Sequence, residues 1–168
     1  MRKVSSVLSV NALAEALVSL SREKNVTFGT AESCTGGLIS AAVTGVSGAS
    51  AVFYGGIVSY DNSVKAGLLG VREETLASVG AVSPKTAIEM STGAIKALSV
   101  DFAVSVTGIA GPGGGTPTKP VGLVYISTAS KNGAITVKEN LFKGDREEVR
   151  RQTVETALTM LISAIEQS

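Results

Sequence analysis

A serine stands where a short strand-like run, residues 26–29, gives way to a small-residue helical run, residues 38–44. The junction reads Thr30-Ala-Glu-Ser33-Cys-Thr-Gly-Gly37. The first turn of a helix carries backbone N–H groups without intrahelical partners, and its macrodipole is positive there. A hydroxyl nucleophile and an oxyanion hole can therefore share this turn. A purely structural interpretation, in which Thr35 caps the helix and the glycines fit a tight turn, is equally open from this stretch.

The absence of histidine restricts the chemistry that this serine can use. Ser-His-Asp catalysis, Cys-His catalysis and His-containing metal sites are excluded, and with one cysteine a structural zinc is not expected. Any general base must be Lys, Tyr, Asp, Glu or a chain terminus. We therefore expect no metal and no cofactor. The single cysteine, Cys34, adjoins Ser33 and is a second candidate nucleophile, although a lone small thiol in such a turn is more often packed.

Lys65 is the base that the sequence favours. It follows Tyr60, Asp61 and Asn62 at the end of a second strand-like run, residues 51–59, and Asn62 is predicted to cap the short helix that contains it. The positive end of a helix and partial burial both lower the pKa of a lysine, and a lysine general base needs a lowered pKa near neutral pH. The alternative is a solvated lysine on an exposed face.

Arg146 is a candidate ligand for an anion. It follows the predicted cap Asp145 of the last helix, so its charge lies at a helix N-terminus that already attracts anions. A bound phosphate or carboxylate would explain this placement, and pairing with neighbouring glutamates is the alternative. For Arg150 and Arg151 we favour surface pairing, which includes Arg151 with Glu155 at i,i+4.

A glycine-rich stretch, residues 108–120, follows the strand predicted at residues 102–107. Its five glycines and three prolines predict a loop. The loop lacks the Gly-Lys-Ser/Thr of a phosphate-binding loop, and the dinucleotide fingerprint would require glycine where Thr116 stands. ATP-type and NAD-type binding are therefore not supported, whereas a backbone nest for a small anion stays open.

The elements that must position these residues alternate between strands and helices. Helices are predicted at residues 11–22, 38–44, 62–69, 72–78, 83–98 and 145–167, and strands at 26–29, 51–59, 102–107, 121–128 and 135–142. Strands separated by helices imply parallel pairing, and Asn132-Gly133 predicts a late hairpin with one reversed strand. We predict an α/β fold, a three-layer α/β/α sandwich around a mixed, mostly parallel sheet of about five strands, in one domain over residues 1–168. Such sheets bind ligands at the carboxyl ends of their strands.

The composition limits the classes of partner. The chain has 168 residues, 44% of them apolar, a net charge of +1 and 4% aromatic residues. Without a dense Lys/Arg tract we expect no nucleic-acid partner, whereas a small anionic ligand is compatible. Serines interrupt any apolar run after Met1-Arg2-Lys3-Val4, and no stretch is long and apolar enough for a membrane span, so we expect a cytoplasmic protein with no membrane contact.

Five motifs in order resemble the C-terminal domain of the competence/damage-inducible protein CinA. They are AESCTGG at 31–37, GGIVSYDNSVKAGLLGV at 55–71, GAVS at 80–83, VSVTGIAGPGGGTPTKPVG at 104–122 and GDREEVRRQTVETAL at 144–158. The resemblance spans residues 10–165 and extends to the stand-alone nicotinamide mononucleotide deamidases of the PncC type. It does not cover the molybdopterin-binding-like domain of full-length CinA, so it implies nothing about the hydrolase activity of that domain.

This resemblance implies an anticodon-binding-like sandwich and hydrolysis of nicotinamide mononucleotide to nicotinate mononucleotide and ammonia in pyridine-nucleotide recycling. It places the nucleophile on Ser33 and the base on Lys65, a metal-free dyad, with Tyr60 and Arg146 as further catalytic positions. Asp61 stands where the family more often has serine, and its carboxylate would raise the pKa of Lys65.

Substrate contacts are expected from the strand ends around the dyad. The expected residues are Thr35, Gly36, Gly37, Asn62, Thr107, Gly108, Gly111, Gly113, Gly114, Gly115 and Thr116. A small phosphorylated pyridine nucleotide is the expected ligand, and a homo-oligomer is left open by the sequence. Two alternatives are a non-catalytic module that binds a phosphorylated ligand and an interaction domain for a competence-related partner.

Overall fold

The structure, a computed structural model, describes residues 8–168, so the expectation that concerns Met1 to Val4 lies outside the described residues. Six α-helices, five strands and a short 3-10 helix at Ala49–Ala51 make up this part of the chain. In chain order the elements are α1 (Val10–Glu23), β1 (Phe28–Glu32), α2 (Leu38–Thr44), β2 (Phe53–Val58), α3 (Asn62–Leu69), α4 (Glu73–Val79), α5 (Pro84–Leu98), β3 (Phe102–Gly108), β4 (Leu123–Ser130), β5 (Ile135–Leu141) and α6 (Arg146–Glu166). Within these residues, every helix is too short or too polar to span a bilayer.

The five strands form one mixed sheet in the order β2-β1-β3-β4-β5. β1 pairs in parallel with β2 and β3, and β4 is antiparallel to both β3 and β5, which confirms the predicted single reversed strand. Glu32 lies between Val58 on one side and Val106 on the other. The residues that follow these three positions therefore emerge at the same edge of the sheet.

Helices cover both faces of the sheet, which confirms the three-layer architecture. On one face, α1, α2 and α6 enclose a core that includes Leu17, Phe28, Ile126 and Leu158. On the other face, α5 and the end of α3 enclose a smaller core built from residues such as Met90. Because both faces are covered, β1 and β3 are buried along almost their whole length.

The predicted limits of β1 were too short at its C-terminal end. The strand continues through Thr30 and Glu32, two polar residues that are fully buried. Their side chains find hydrogen-bond partners in α2, since Ser40 Oγ lies 2.8 Å from Thr30 Oγ1 and 2.8 Å from Glu32 Oε2. The polar residues Thr30 and Glu32 therefore belong to the strand and do not end it. Ser33 follows β1 directly.

Candidate active site

The fold brings Ser33 and Lys65 into direct contact. Ser33 follows β1, and its backbone N–H donates to the Val106 carbonyl of β3 at 3.1 Å. Lys65 is the fourth residue of α3, which begins just after the neighbouring strand β2. Its Nζ lies 3.1 Å from Ser33 Oγ, and both side chains are buried. A hydroxyl and an amine at this distance can exchange a proton directly.

Lys65 is enclosed by protein, with 1% of its surface exposed. Its Nζ also donates to the carbonyls of Ser59 at 2.7 Å and Tyr60 at 3.2 Å. Burial lowers the pKa of Lys65 below its ordinary value, whereas the nearby Asp61 carboxylate and the Cys34 thiol act in the opposite direction. The uncharged form of the amine is therefore more populated at a given pH than in a solvated lysine.

The cap of α3 differs from the predicted one by one residue. The Asp61 side chain caps the helix by accepting from the Ser63 N–H at 2.8 Å, and Asn62 is the first helical residue. Asp61 has the extended backbone that a cap requires, and its carboxylate is as good an acceptor as an asparagine amide. Lys65 remains in the first turn.

Cys34 is packed in the core that contains α1, α2 and α6. Burial raises the pKa of its thiol to about 12. The thiol is therefore protonated at neutral pH, and Ser33 is the better candidate for the nucleophile.

Arg146 connects two loops at the mouth of the site. One guanidinium nitrogen donates to the Gly111 carbonyl at 2.9 Å, and another donates to the Tyr60 hydroxyl at 3.4 Å. Tyr60 is 63% exposed, and Asp145 caps α6 as predicted by accepting from the Glu148 N–H. Arg146 and Tyr60 are thus accessible to a ligand that enters from solvent.

A cavity of about 230 Å³ contains the dyad. Its walls come from the residues at and after the ends of β1, β2 and β3, from α3, from the connection between α4 and α5, and from the start of α6. The lining residues are Ser33, Cys34, Tyr60, Asn62, Lys65, Ala81, Val82, Thr107, Gly108, Ala110 and Arg146. The Thr107 hydroxyl donates to the Ala81 carbonyl at 2.7 Å, so it holds the neighbouring wall in place.

Other residues predicted to contact substrate lie outside the lining of this cavity. Gly36 and Gly37 form the turn into α2. Gly111 is connected to the site by the hydrogen bond that its carbonyl accepts from Arg146. Gly113 to Gly115 lie in an exposed loop, where the Thr116 hydroxyl accepts from the Lys119 N–H at 3.0 Å. Contact between these residues and a substrate stays a prediction.

Within residues 8–168, no cluster of three or more His, Cys, Asp or Glu side chains could hold a metal ion. The polar side chains that line the cavity carry hydroxyls, an amine, a guanidinium, an amide and the Cys34 thiol.

Comparison with known proteins shows the family of the chain. Residues 10–165 match the family described as the CinA C-terminal domain. The chain belongs to the CinA family. A CinA-like protein of Leptospira borgpetersenii serovar Hardjo-bovis (strain L550) is 53% identical over 154 residues, which are 92% of this chain. A CinA-like protein of Kosmotoga olearia is 47% identical over the same length. The chain spans 37% of the length of each of these two relatives.

Solved CinA-family structures have the same fold. The competence/damage inducible protein CihA from Agrobacterium tumefaciens has a TM-score of 0.91 and 44% identity, with 97% of this chain and 98% of that chain covered. A CinA superfamily protein from Klebsiella pneumoniae 700603 has a TM-score of 0.91 and 32% identity, with 96% and 100% covered.

Glu32 is a residue of this CinA-family site that the sequence did not indicate. The Thr35 hydroxyl donates to its carboxylate at 2.6 Å and the cap residue of α2 is Gly37, so the alternative interpretation in which Thr35 caps the helix does not hold. The same carboxylate accepts from the backbone N–H groups of Ile39 and Ser40 at 2.9 and 3.0 Å. Glu32 therefore caps α2 from the preceding strand. No sequence signal pointed to this role, because the strand was predicted to end at Gly29 and Glu32 therefore fell in the junction after it.

Arg150 also differs from its predicted surface role. Its guanidinium donates to the carbonyls of Cys34 at 3.1 Å and Thr35 at 3.0 Å, in the loop that carries Ser33. Arg151, by contrast, pairs with Glu148 and Glu155 on the surface of α6, and this confirms the predicted i,i+4 pair.

Proposed function

We propose that this CinA-family chain hydrolyses the carboxamide of nicotinamide mononucleotide to nicotinate mononucleotide and ammonia, with Ser33 as nucleophile and Lys65 as general base. The observation that carries the proposal is the 3.1 Å contact between Lys65 Nζ and Ser33 Oγ, in a buried setting that lowers the pKa of the amine. The substrate itself comes from the resemblance of the five sequence motifs to nicotinamide mononucleotide deamidases.

The three acceptors around Lys65 suit both of its protonation states. The Ser59 and Tyr60 carbonyls can only accept, so they take both N–H groups of a neutral amine and leave its lone pair for the Ser33 hydroxyl. After proton transfer, the ammonium group has three N–H donors for the same three oxygens. The proton can therefore move without a rearrangement of heavy atoms.

In the acylation step, Ser33 Oγ bonds to the carboxamide carbon while its proton passes to Lys65. The C–N bond then breaks, and ammonia leaves with the proton that Lys65 returns. Water attacks the resulting ester, and Lys65 again takes and returns a proton, which releases the acid and restores Ser33.

Backbone N–H groups next to Ser33 are candidates for stabilising the oxyanion. Among residues 8–168, no backbone carbonyl accepts from the N–H groups of Cys34 and Thr35. A well-placed oxyanion donor contributes about 3 kcal/mol to the stabilisation of the transition state. Arg146 at the mouth of the cavity supplies a charge for the substrate phosphate, and Tyr60 lies beside it.

The test is ammonia release from nicotinamide mononucleotide with a chelator present, for the purified chain and for Ser33→Ala and Lys65→Met. We expect turnover in the unmodified chain and a loss of at least about a thousandfold in each variant, since nucleophile and base act as a unit. Full activity in Ser33→Ala would refute the dyad. Binding of the nucleotide without turnover would favour a non-catalytic module, and neither binding nor turnover would favour an interaction domain.

A further inference from the structure

Glu32 is a fully buried carboxylate with no ion-pair partner among residues 8–168. Four donors satisfy it: the hydroxyls of Thr35 and Ser40 and the backbone N–H groups of Ile39 and Ser40. These donors lie on both sides of the turn at residues 36 and 37. Glu32 does not line the cavity that contains the dyad, so it holds the loop without facing a substrate.

Arg150 holds the same loop from the opposite side. It lies in a groove of about 690 Å³ between α1, α2 and α6, and this groove does not include Ser33 or Lys65. In a planar trans peptide the N–H and C=O groups point in opposite directions. The hydrogen bond from Arg150 to the Cys34 carbonyl therefore orients the Thr35 N–H away from the groove. The Thr35 carbonyl, the second acceptor, fixes the Gly36 N–H in the same way.

The loop has few means of holding this conformation by itself. Gly36 and Gly37 have φ values of 58° and 105°. The cap residue of α2 is Gly37, which has no side chain that could bond to the helix. Glycines at such angles also have access to many other conformations. Within the loop, the Gly36 N–H donates to the Ser33 carbonyl at 3.1 Å. Two further backbone bonds restrain the loop, from the Ser33 N–H to the Val106 carbonyl and from the Leu38 N–H to the Thr35 carbonyl at 3.2 Å. The side chains that hold residues 34–37 in place are those of Glu32 and Arg150.

We propose that Glu32 and Arg150 form a loop clamp, a pair of positioning residues that holds Ser33 and the backbone N–H groups after it in one reactive conformation. The clamp rests on the proposed function, because it positions the nucleophile of that reaction. A displacement of about 1 Å at a reacting group can cost about a hundredfold in rate. Loss of either clamp residue should therefore lower kcat far more than it raises KM.

The variants are Glu32→Gln and Arg150→Met, with Glu148→Gln and Arg151→Met as matched controls. Gln at position 32 keeps the shape but replaces one acceptor oxygen by an N–H donor that faces other donors. Arg151 is the next residue on α6, and it pairs with Glu148 on the surface instead of the loop. Each chain is assayed for kcat, KM and the pH profile of ammonia release, for the rate of Ser33 labelling by a fluorophosphonate, and for thermal unfolding.

We expect both clamp variants to lose about 10- to 100-fold in kcat and in labelling rate. KM should change less than about threefold, and the controls should stay within about twofold of the unmodified chain. The midpoint of the acid limb should not move, because the charged group that acts on Lys65 at neutral pH is Asp61, which none of these substitutions changes. If Glu32→Gln fails to fold, Arg150→Met decides, since its side chain lies at a partly exposed position.

Unchanged kcat and labelling rate in Arg150→Met would overturn the clamp, and so would a rise in KM alone. If the unmodified chain labels rapidly but releases no ammonia, while the variants label slowly, the clamp stands and the proposed substrate fails. If the unmodified chain and the clamp variants release ammonia equally well, the proposed function stands and the clamp fails. A chain that neither labels nor releases ammonia would overturn both.

Discussion

Two opposing effects set the basicity of Lys65. Burial lowers its pKa, because removal of water penalises the ammonium form, and the negative charge of Asp61 raises it. Burial is the larger of the two effects. Asp61 also caps α3, so one residue both starts the helix of the base and limits how far the pKa of that base falls.

Replacement of Asp61 by Asn separates these two roles. Asparagine caps helices as well as aspartate does, so α3 should keep its start. Loss of the negative charge lowers the pKa of Lys65 further, and the unprotonated base then persists to lower pH. The acid limb of kcat/KM against pH should therefore move to lower pH, with its plateau unchanged. A shift to higher pH would contradict the assignment of Lys65 as the base, and Asp61→Ser is a second variant that keeps a cap.

At the scale of elements, α3 delivers Lys65 to the end of β1 and is held there by a close helix contact. Gly93 of α5 faces the last residue of α3, and a Cβ on Gly93 would lie 1.8 Å from the Leu69 carbonyl oxygen. No side chain larger than hydrogen fits at this position unless one backbone moves. Since Leu69 is one turn beyond Lys65, the placement of the base depends on this contact.

Gly93→Ala should destabilise the chain by about 1–3 kcal/mol and lower kcat, because α3 must shift away from α5. The matched control is Gly67→Ala in α3 itself, where a Cβ would meet nothing within 4 Å. That variant should be more stable by about 1 kcal/mol, since alanine favours the helix. Denaturant unfolding and ammonia release measure both effects. Equal stability of the two variants would refute the packing argument.

At the scale of the whole molecule, the architecture could be predicted because it depends on patterns of residues that are close together in sequence. The Asn132-Gly133 turn predicted the hairpin of β4 and β5, and the alternation of strands and helices predicted the layers. The carboxyl-end rule for parallel strands predicted that Ser33 and Lys65 lie at the ligand-binding edge of the sheet, and the resemblance to the CinA family implied that they act as a pair.

Glu32 and Arg150 escaped prediction because their roles depend on tertiary contacts. Arg150 donates to carbonyls that are 115 and 116 residues away in sequence. Because every residue has a backbone carbonyl, residue types do not indicate which carbonyls a side chain will contact. Glu32 was placed in a junction because the strand was expected to end at Gly29. Its role became visible only when β1 was seen to run through it and beneath α2.

The most direct test of the account is titration of the Lys65 amine by heteronuclear NMR, alongside the pH dependence of nicotinamide mononucleotide hydrolysis. We predict that the pKa of Lys65 lies below the usual 10.5 and coincides with the midpoint of the acid limb of kcat/KM. An amine that stays charged throughout the pH range in which the chain releases ammonia would contradict the account.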